Sequence, residues 1–134
     1  MEKFLYISAG AILGANLRYW IGDWAAQKFG TSFPYGTLLI NFTGSLLLGF
    51  FVAIAAERLM VDPRLRLLVT VGFLGSYTTF STFTYESISL LLKGQVLAGL
   101  LNLFGSSLLG LAAVTVSNSH RFRKERGATM NNLP

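Results

Sequence analysis

Residues 72–86 read GFLGSYTTFSTFTYE, a hydroxyl-rich, glycine-flanked run inside an otherwise greasy chain. Two kinds of ion chemistry are open to such a run. Backbone carbonyls freed from a helix around Gly75 and Thr78 would suit a hard cation. Phe80 and Phe83 lie three apart on one helical face, interleaved with Ser81, Thr82 and Thr84. Aromatic residues at that spacing ordinarily serve packing, but a phenyl ring has a positive edge and presents it to an anion without trapping it. Further donors lie elsewhere. Asn41 sits in GTLLINFTGSLLLGF, with Thr37 one turn earlier. Its carboxamide either clamps a neighbouring helix or donates an N–H to a passing anion. Asn102 and Ser106 are four apart and form another polar stripe, while Ser107 is offset and free to bond backbone. Arg18 is the one strong charge well inside an apolar run; it pairs with Asp23, snorkels to the interface, or gives a vestibule a positive potential.

Other chemistries are poorly supplied. The chain has no cysteine and a single histidine, His120 in a polar tail, so thiolate sites, a multi-histidine metal site within one chain and a Ser-His-Asp set are excluded. The only carboxylates within segments, Asp23 and Glu86, fall toward segment ends.

The elements that must position these residues are membrane helices. The 134 residues are 52% hydrophobic and 13% charged, about half the charge of a soluble domain, with mean hydropathy +0.54. A membrane helix needs about 20 mostly apolar residues. Four segments qualify, at about 4–29, 35–56, 65–92 and 95–118, joined by short connectors, with a basic tail at 119–134; Pro34 and Pro63 mark helix starts. The whole of 1–134 reads as one all-α membrane domain. The basic cluster from Arg121 to Arg126 adjoins the last segment, which favours a juxtamembrane anchor on anionic lipid over a nucleic-acid site.

The third segment is the anomaly. As one helix it would reach about 42 Å against a hydrocarbon core of about 30 Å. Its midpoint falls near Thr78, inside the polar run. Either Gly75 and its neighbours break the helix near the midplane, or a tilted continuous helix carries hydroxyls bonded back to the preceding turn. Four helices make a thin bundle, so oligomerisation is expected. Gly10 and Gly14 form a small-xxx-small pair that serves packing within the protomer or a dimer face. Leaving out Arg18, the lysines and arginines divide eight to two between the two sides, which favours both termini in the cytoplasm.

These residues resemble the small bacterial fluoride channels, often called Fluc, over essentially the whole chain. The carriers are GTLLINFTGSLLLGF with Asn41 and GFLGSYTTFSTFTYE with Phe80 and Phe83. The resemblance implies a multi-pass protein of the cell (inner) membrane, built as an antiparallel homodimer with two parallel fluoride pores that export the toxic anion. It implies that Phe80 and Phe83 line the pores by their ring edges and that Asn41 supplies a donor. Thr82, Ser106 and Asn102 follow as further pore positions, and Arg18 as the vestibule arginine. By the same carry-over, Gly75 and Thr78 give carbonyls to a structural sodium ion at the dimer axis. Antiparallel pairing requires both insertion orientations, with which the eight-to-two charge bias does not sit easily. The alternative reading is a proton-coupled exporter of small cations, which needs Asp23 or Glu86 as its carboxylate; a structural membrane subunit without transport ranks below both.

Overall fold

The polypeptide runs as long helices joined by short turns, each turn written by a recognisable residue. A computed structural model describes residues 1–57 and 61–119. The basic tail from His120 onward, expected as a membrane anchor, lies outside the described residues, as does Arg58, one of the charges counted above. Helix α1 spans Glu2–Phe29 and ends at Gly30, whose φ of 78° is left-handed. Helix α2 spans Tyr35–Glu57, directly after Pro34. Helix α3 covers residues 63–77, opening at Pro63 under the Asp62 carboxylate, which accepts from the Arg64 N–H at 2.8 Å. Its stretch Leu67–Leu74 is wound in wider π turns, followed by the single turn Gly75–Tyr77. Helix α4 spans Phe80–Leu92 and α5 spans Val96–Ser117. Between them Gly94, with φ of 76°, donates to Leu91 C=O, while Gln95 N–H reaches back to Leu90 C=O. That is a Schellman turn, which needs a left-handed residue and finds glycine there.

All described elements are helical. Helices α2 (within Tyr35–Ala55) and α5 are each long and apolar enough to cross a membrane, with mean hydropathies of 2.1 and 1.8. Helix α1 is diluted by Glu2, Lys3, Arg18, Asp23 and Lys28, and α3 and α4 are each too short alone.

The interruption falls later than the glycine suggested. Gly75 is helical, with φ −63° and ψ −33°. The extended residues are Thr78 (φ −77°, ψ 156°) and Thr79 (φ −146°, ψ 116°). Glycine permits a break without forcing one; the β-branched pair that follows is what takes the extended conformation.

Packing rests on small residues and hydrogen bonds, as expected where lipid removes the hydrophobic drive between helices. Helix α1 lies mainly against α3, and α2 mainly against α5. Gly10 and Gly14 face α3: a Cβ on Gly10 would lie 2.7 Å from the Phe73 nitrogen, and one on Gly14 would strike the Phe73 carbonyl. The pair therefore serves contact within the protomer. Ser76 Oγ ties the same seam by donating to Ala11 C=O at 3.0 Å. Helices α1 and α2 cross where a Cβ on Gly36 would approach Gly22 Cα to 3.0 Å. Large apolar side chains, among them Ile12, Trp20, Phe50, Leu97 and Phe104, point outward.

Gly10→Leu or Gly14→Leu must push α1 off α3, since the obstacles are backbone atoms. Each should cost about 3 kcal/mol or more, by analogy with overpacked cores. Gly22→Ala meets only Ile40 Cδ1 at 4.0 Å and should be neutral or stabilising by up to about 1 kcal/mol. Thermal unfolding of the purified protein in detergent distinguishes the two classes.

Candidate functional site: an interrupted helix between three cavities

Thr79 is the pivot of the polar run. Extended backbone turns its own N–H and C=O to the same side, as in an antiparallel strand. The Asn41 carboxamide on α2 meets both: Oδ1 accepts from Thr79 N–H at 2.8 Å, and Nδ2 donates to Thr79 C=O at 3.0 Å. One side chain thus replaces a strand partner inside a helical protein. The Thr79 hydroxyl caps α4, accepting from Thr82 N–H at 3.3 Å and donating to Thr82 Oγ1 at 3.0 Å. In an unbroken helix Thr79 N–H would go to the Gly75 carbonyl. Asn41 has taken it, so that carbonyl is left without its helical donor. Thr78 still closes the last turn of α3, through both N–H and Oγ1 to Leu74 C=O. The Tyr77 ring is buried, stacked on Phe73 at 5.8 Å, and its hydroxyl lies 2.8 Å from Thr43 Oγ1 on α2.

Three open cavities lie against Thr79 or its neighbours Asn41 and Phe80. The largest, about 560 Å³, brings Arg18, Asp23 and Lys93 to Thr37, Thr82 and Glu86. Thr37 Oγ1 donates to Glu86 Oε1 at 2.9 Å. Among the described residues Arg18 and Asp23 form no ion pair; Asp23 instead accepts from Gln27 Nε2 at 2.7 Å. The second cavity, about 280 Å³, is lined by Gly75, Thr78, Phe80 and Asn41. The third, about 370 Å³, gathers Asn41, Phe80, Phe83 and Ser106. Asn41 and Phe80 line the second and third alike, and Thr79 lines the first and second.

Phe80 and Phe83 are neighbours, with ring centroids 5.9 Å apart and planes tilted 45°, yet their settings differ. Phe83 is 7% exposed and Phe80 77%. Of the other polar positions, Thr82 opens onto the first cavity and Ser106 onto the third. Asn102 lines neither; it is 0% exposed. Its Nδ2 donates to Ser87 Oγ at 2.9 Å, Ser87 Oγ donates to Phe83 C=O at 2.8 Å, and Ser106 Oγ donates to Asn102 Oδ1 at 3.1 Å. This chain fixes α5 to α4 and orients the Ser106 hydroxyl. Ser107 bonds only backbone, to Leu103 C=O at 2.7 Å.

Sequence reasoning singled out Asn41 and Thr82 but overlooked Thr79, Tyr77 and Ser87. Thr79 was findable: a threonine immediately before a new apolar run is an N-cap signal. Ser87 carries no such mark, since its role depends on Asn102 arriving from another helix.

Residues 5–118 match the model of the family described as CrcB-like protein, Camphor Resistance (CrcB). The chain belongs to this family. Curated relatives within it carry the name fluoride-specific ion channel FluC. That of Sulfurihydrogenibium sp. (strain YO3AOP1) is 48% identical over 116 residues, covering 84% of this chain and 94% of the relative. That of Chloroflexus aurantiacus (strain ATCC 29366) is 48% identical over 116 residues, covering 87% and 92%. A more distant relative from Maridesulfovibrio salexigens is 42% identical over 114 residues, covering 85% and 90%. The family match takes in α1 through α5 and so every candidate residue above.

Asn41→Leu leaves the N–H and C=O of Thr79 without partners and should lower stability by about 2–5 kcal/mol. Asn102→Leu releases two neutral hydroxyls that retain other partners or reach water, and should cost about 1–2 kcal/mol. Thermal melts of both variants beside the parent give that order if Asn41 is the tighter clamp.

Proposed function

We propose that the chain is the protomer of a fluoride channel that lets the toxic anion leave the cytoplasm down its gradient. The observation carrying this reading is one cavity that collects Asn41, Phe80, Phe83 and Ser106, in a chain whose relatives are named fluoride-specific ion channels. Fluoride is small and tightly hydrated, so a pore must replace water by donors. The second amide hydrogen of Asn41 is free of the Thr79 clamp. The phenyl edges are weak donors that release what they bind, and the Ser106 oxygen, its hydrogen given to Asn102, lines the same cavity. Thr82 and Arg18 belong to the adjoining cavity, where Arg18 and Lys93 attract an anion and Asp23 and Glu86 limit how long it stays. Asn102 acts through Ser106, by holding its hydroxyl in place.

In this reading residues 1–134 form one multi-pass domain of the cell (inner) membrane. Helices α1, α2 and α5 each cross it, and α3 and α4 cross it together, with the Thr78–Thr79 interruption near the midplane. Extended backbone at that depth must face protein, water or an ion. The Gly75 and Thr78 side of the interruption lines an open cavity, which an antiparallel second copy would cover, giving two parallel pores. The donor set there suits a structural sodium ion, because Gly75 C=O has lost its helical N–H to Asn41. Bound at the dimer axis, the cation would supply positive charge that holds the two protomers together, with Gly75 and Thr78 as its carbonyl ligands.

Liposomes loaded with fluoride and bearing the purified protein should discharge it, as read by a fluoride electrode, and should retain chloride. Well-folded protein with no fluoride release rejects the proposal. Phe80→Ile and Phe83→Ile should each slow release by about tenfold or more while the assembly elutes at its usual size on gel filtration; unaltered release in both removes the rings from the pore.

A further inference from the structure

We propose that Ser45 is a further contact of the conducted ion, a hydroxyl donor standing between the pore cavity and the cavity of the interruption. The proposal rests on the fluoride-channel reading and adds a residue to it.

Ser45 lies four residues after Asn41 on α2, so the two side chains share a face. Like Asn41 and Phe80, it lines both the cavity holding Phe83 and Ser106 and the cavity holding Gly75 and Thr78. Its hydroxyl is uncommitted within the described part of the protomer. Serines and threonines in apolar helices usually return their hydroxyl to a carbonyl one turn back. Thr43, Thr70, Thr84, Ser107 and Thr115 all do so. The Ser45 hydroxyl makes no hydrogen bond among the described residues, although the residue is half-buried. A hydroxyl left open at the wall of a cavity donates to whatever occupies the cavity.

The opposite wall leaves room for an occupant. Gly110 on α5 lines the same cavity, and a Cβ built on it would lie 3.5 Å from Ser45 Oγ. That is ordinary contact, so a methyl fits without moving a helix but fills the space beside the hydroxyl. Ser45 and Asn41 together would offer successive donors one helical turn apart, about 6 Å along the axis. A small anion leaving Asn41 would therefore meet Ser45 before it is fully rehydrated.

The test is fluoride efflux from liposomes containing the parent protein, Ser45→Ala or Ser45→Thr. Losing one hydrogen bond to a charged ion should slow efflux by about tenfold or more in Ser45→Ala and raise the fluoride concentration at half-maximal rate. Ser45→Thr, which keeps the hydroxyl, should stay within a few-fold of the parent. A conducting parent with Ser45→Ala at the same rate overturns the inference and spares the channel reading, whereas a parent that releases no fluoride overturns both. Equal slowing by Ser45→Ala and Ser45→Thr would assign Ser45 to packing and also overturn it. If Ser45→Ala fails to assemble, Gly110→Ala probes the same space with the hydroxyl retained: slowed efflux is expected, and unchanged efflux rejects the site.

Discussion

A single carboxamide answering both polar groups of a single peptide residue is the constraint on which the rest depends. Two extended residues between α3 and α4 would leave an N–H and a C=O unpaired, at about 1–3 kcal/mol each. Asn41 removes both penalties with one planar group, through bonds of 2.8 and 3.0 Å. Because Asn41 stands on α2, the same contact fixes where α4 begins relative to α2. It also diverts the N–H that would otherwise satisfy Gly75 C=O. The polar surface left exposed is thus a consequence of the clamp. The Thr79 hydroxyl completes the arrangement by capping α4, so the new helix starts at Phe80 and carries Phe80 and Phe83 in its first turn.

Elsewhere the bundle is held so that this pivot can stay open. Glycines seat α1 on α3 and on α2 at close approach. Helix α5 is locked to α4 by the Ser106–Asn102–Ser87 chain, which ends on Phe83 C=O. One wall of the third cavity therefore has its phenyl ring and its serine hydroxyl positioned by the same hydrogen-bond series. In apolar surroundings such a series is firm, because its members have few other partners.

The helices were legible because the segments are long, apolar and punctuated: Pro34, Pro63, Gly30 and Gly94 sit at the boundaries the structure draws. Polar groups such as Asn41, Thr82 and Ser106 stand out in greasy segments and so drew attention as candidates. Their arrangement was not. Gly75 drew attention as the breaker and is helical, because a glycine in an α region behaves like any other residue; Thr78 and Thr79 are extended because Asn41, some 38 positions away, rewards that conformation. Asn102 matched the polar stripe by spacing but is enclosed by a serine from α4. Phe80 and Phe83 share a face by spacing, yet only Phe83 is covered by the protomer. Each of these outcomes turns on a contact between distant segments, which periodicity along one helix does not encode.

The backbone at Thr78 and Thr79 is the most direct place to test the account. Solid-state NMR of the isotopically labelled protein in lipid bilayers reads it from threonine Cα and Cβ shifts, together with a through-space correlation between the Asn41 side-chain nitrogen and the Thr79 carbonyl carbon. Extended shifts at both threonines with that correlation present are predicted. Helical shifts at both, with Asn41 showing no contact to Thr79, would contradict it.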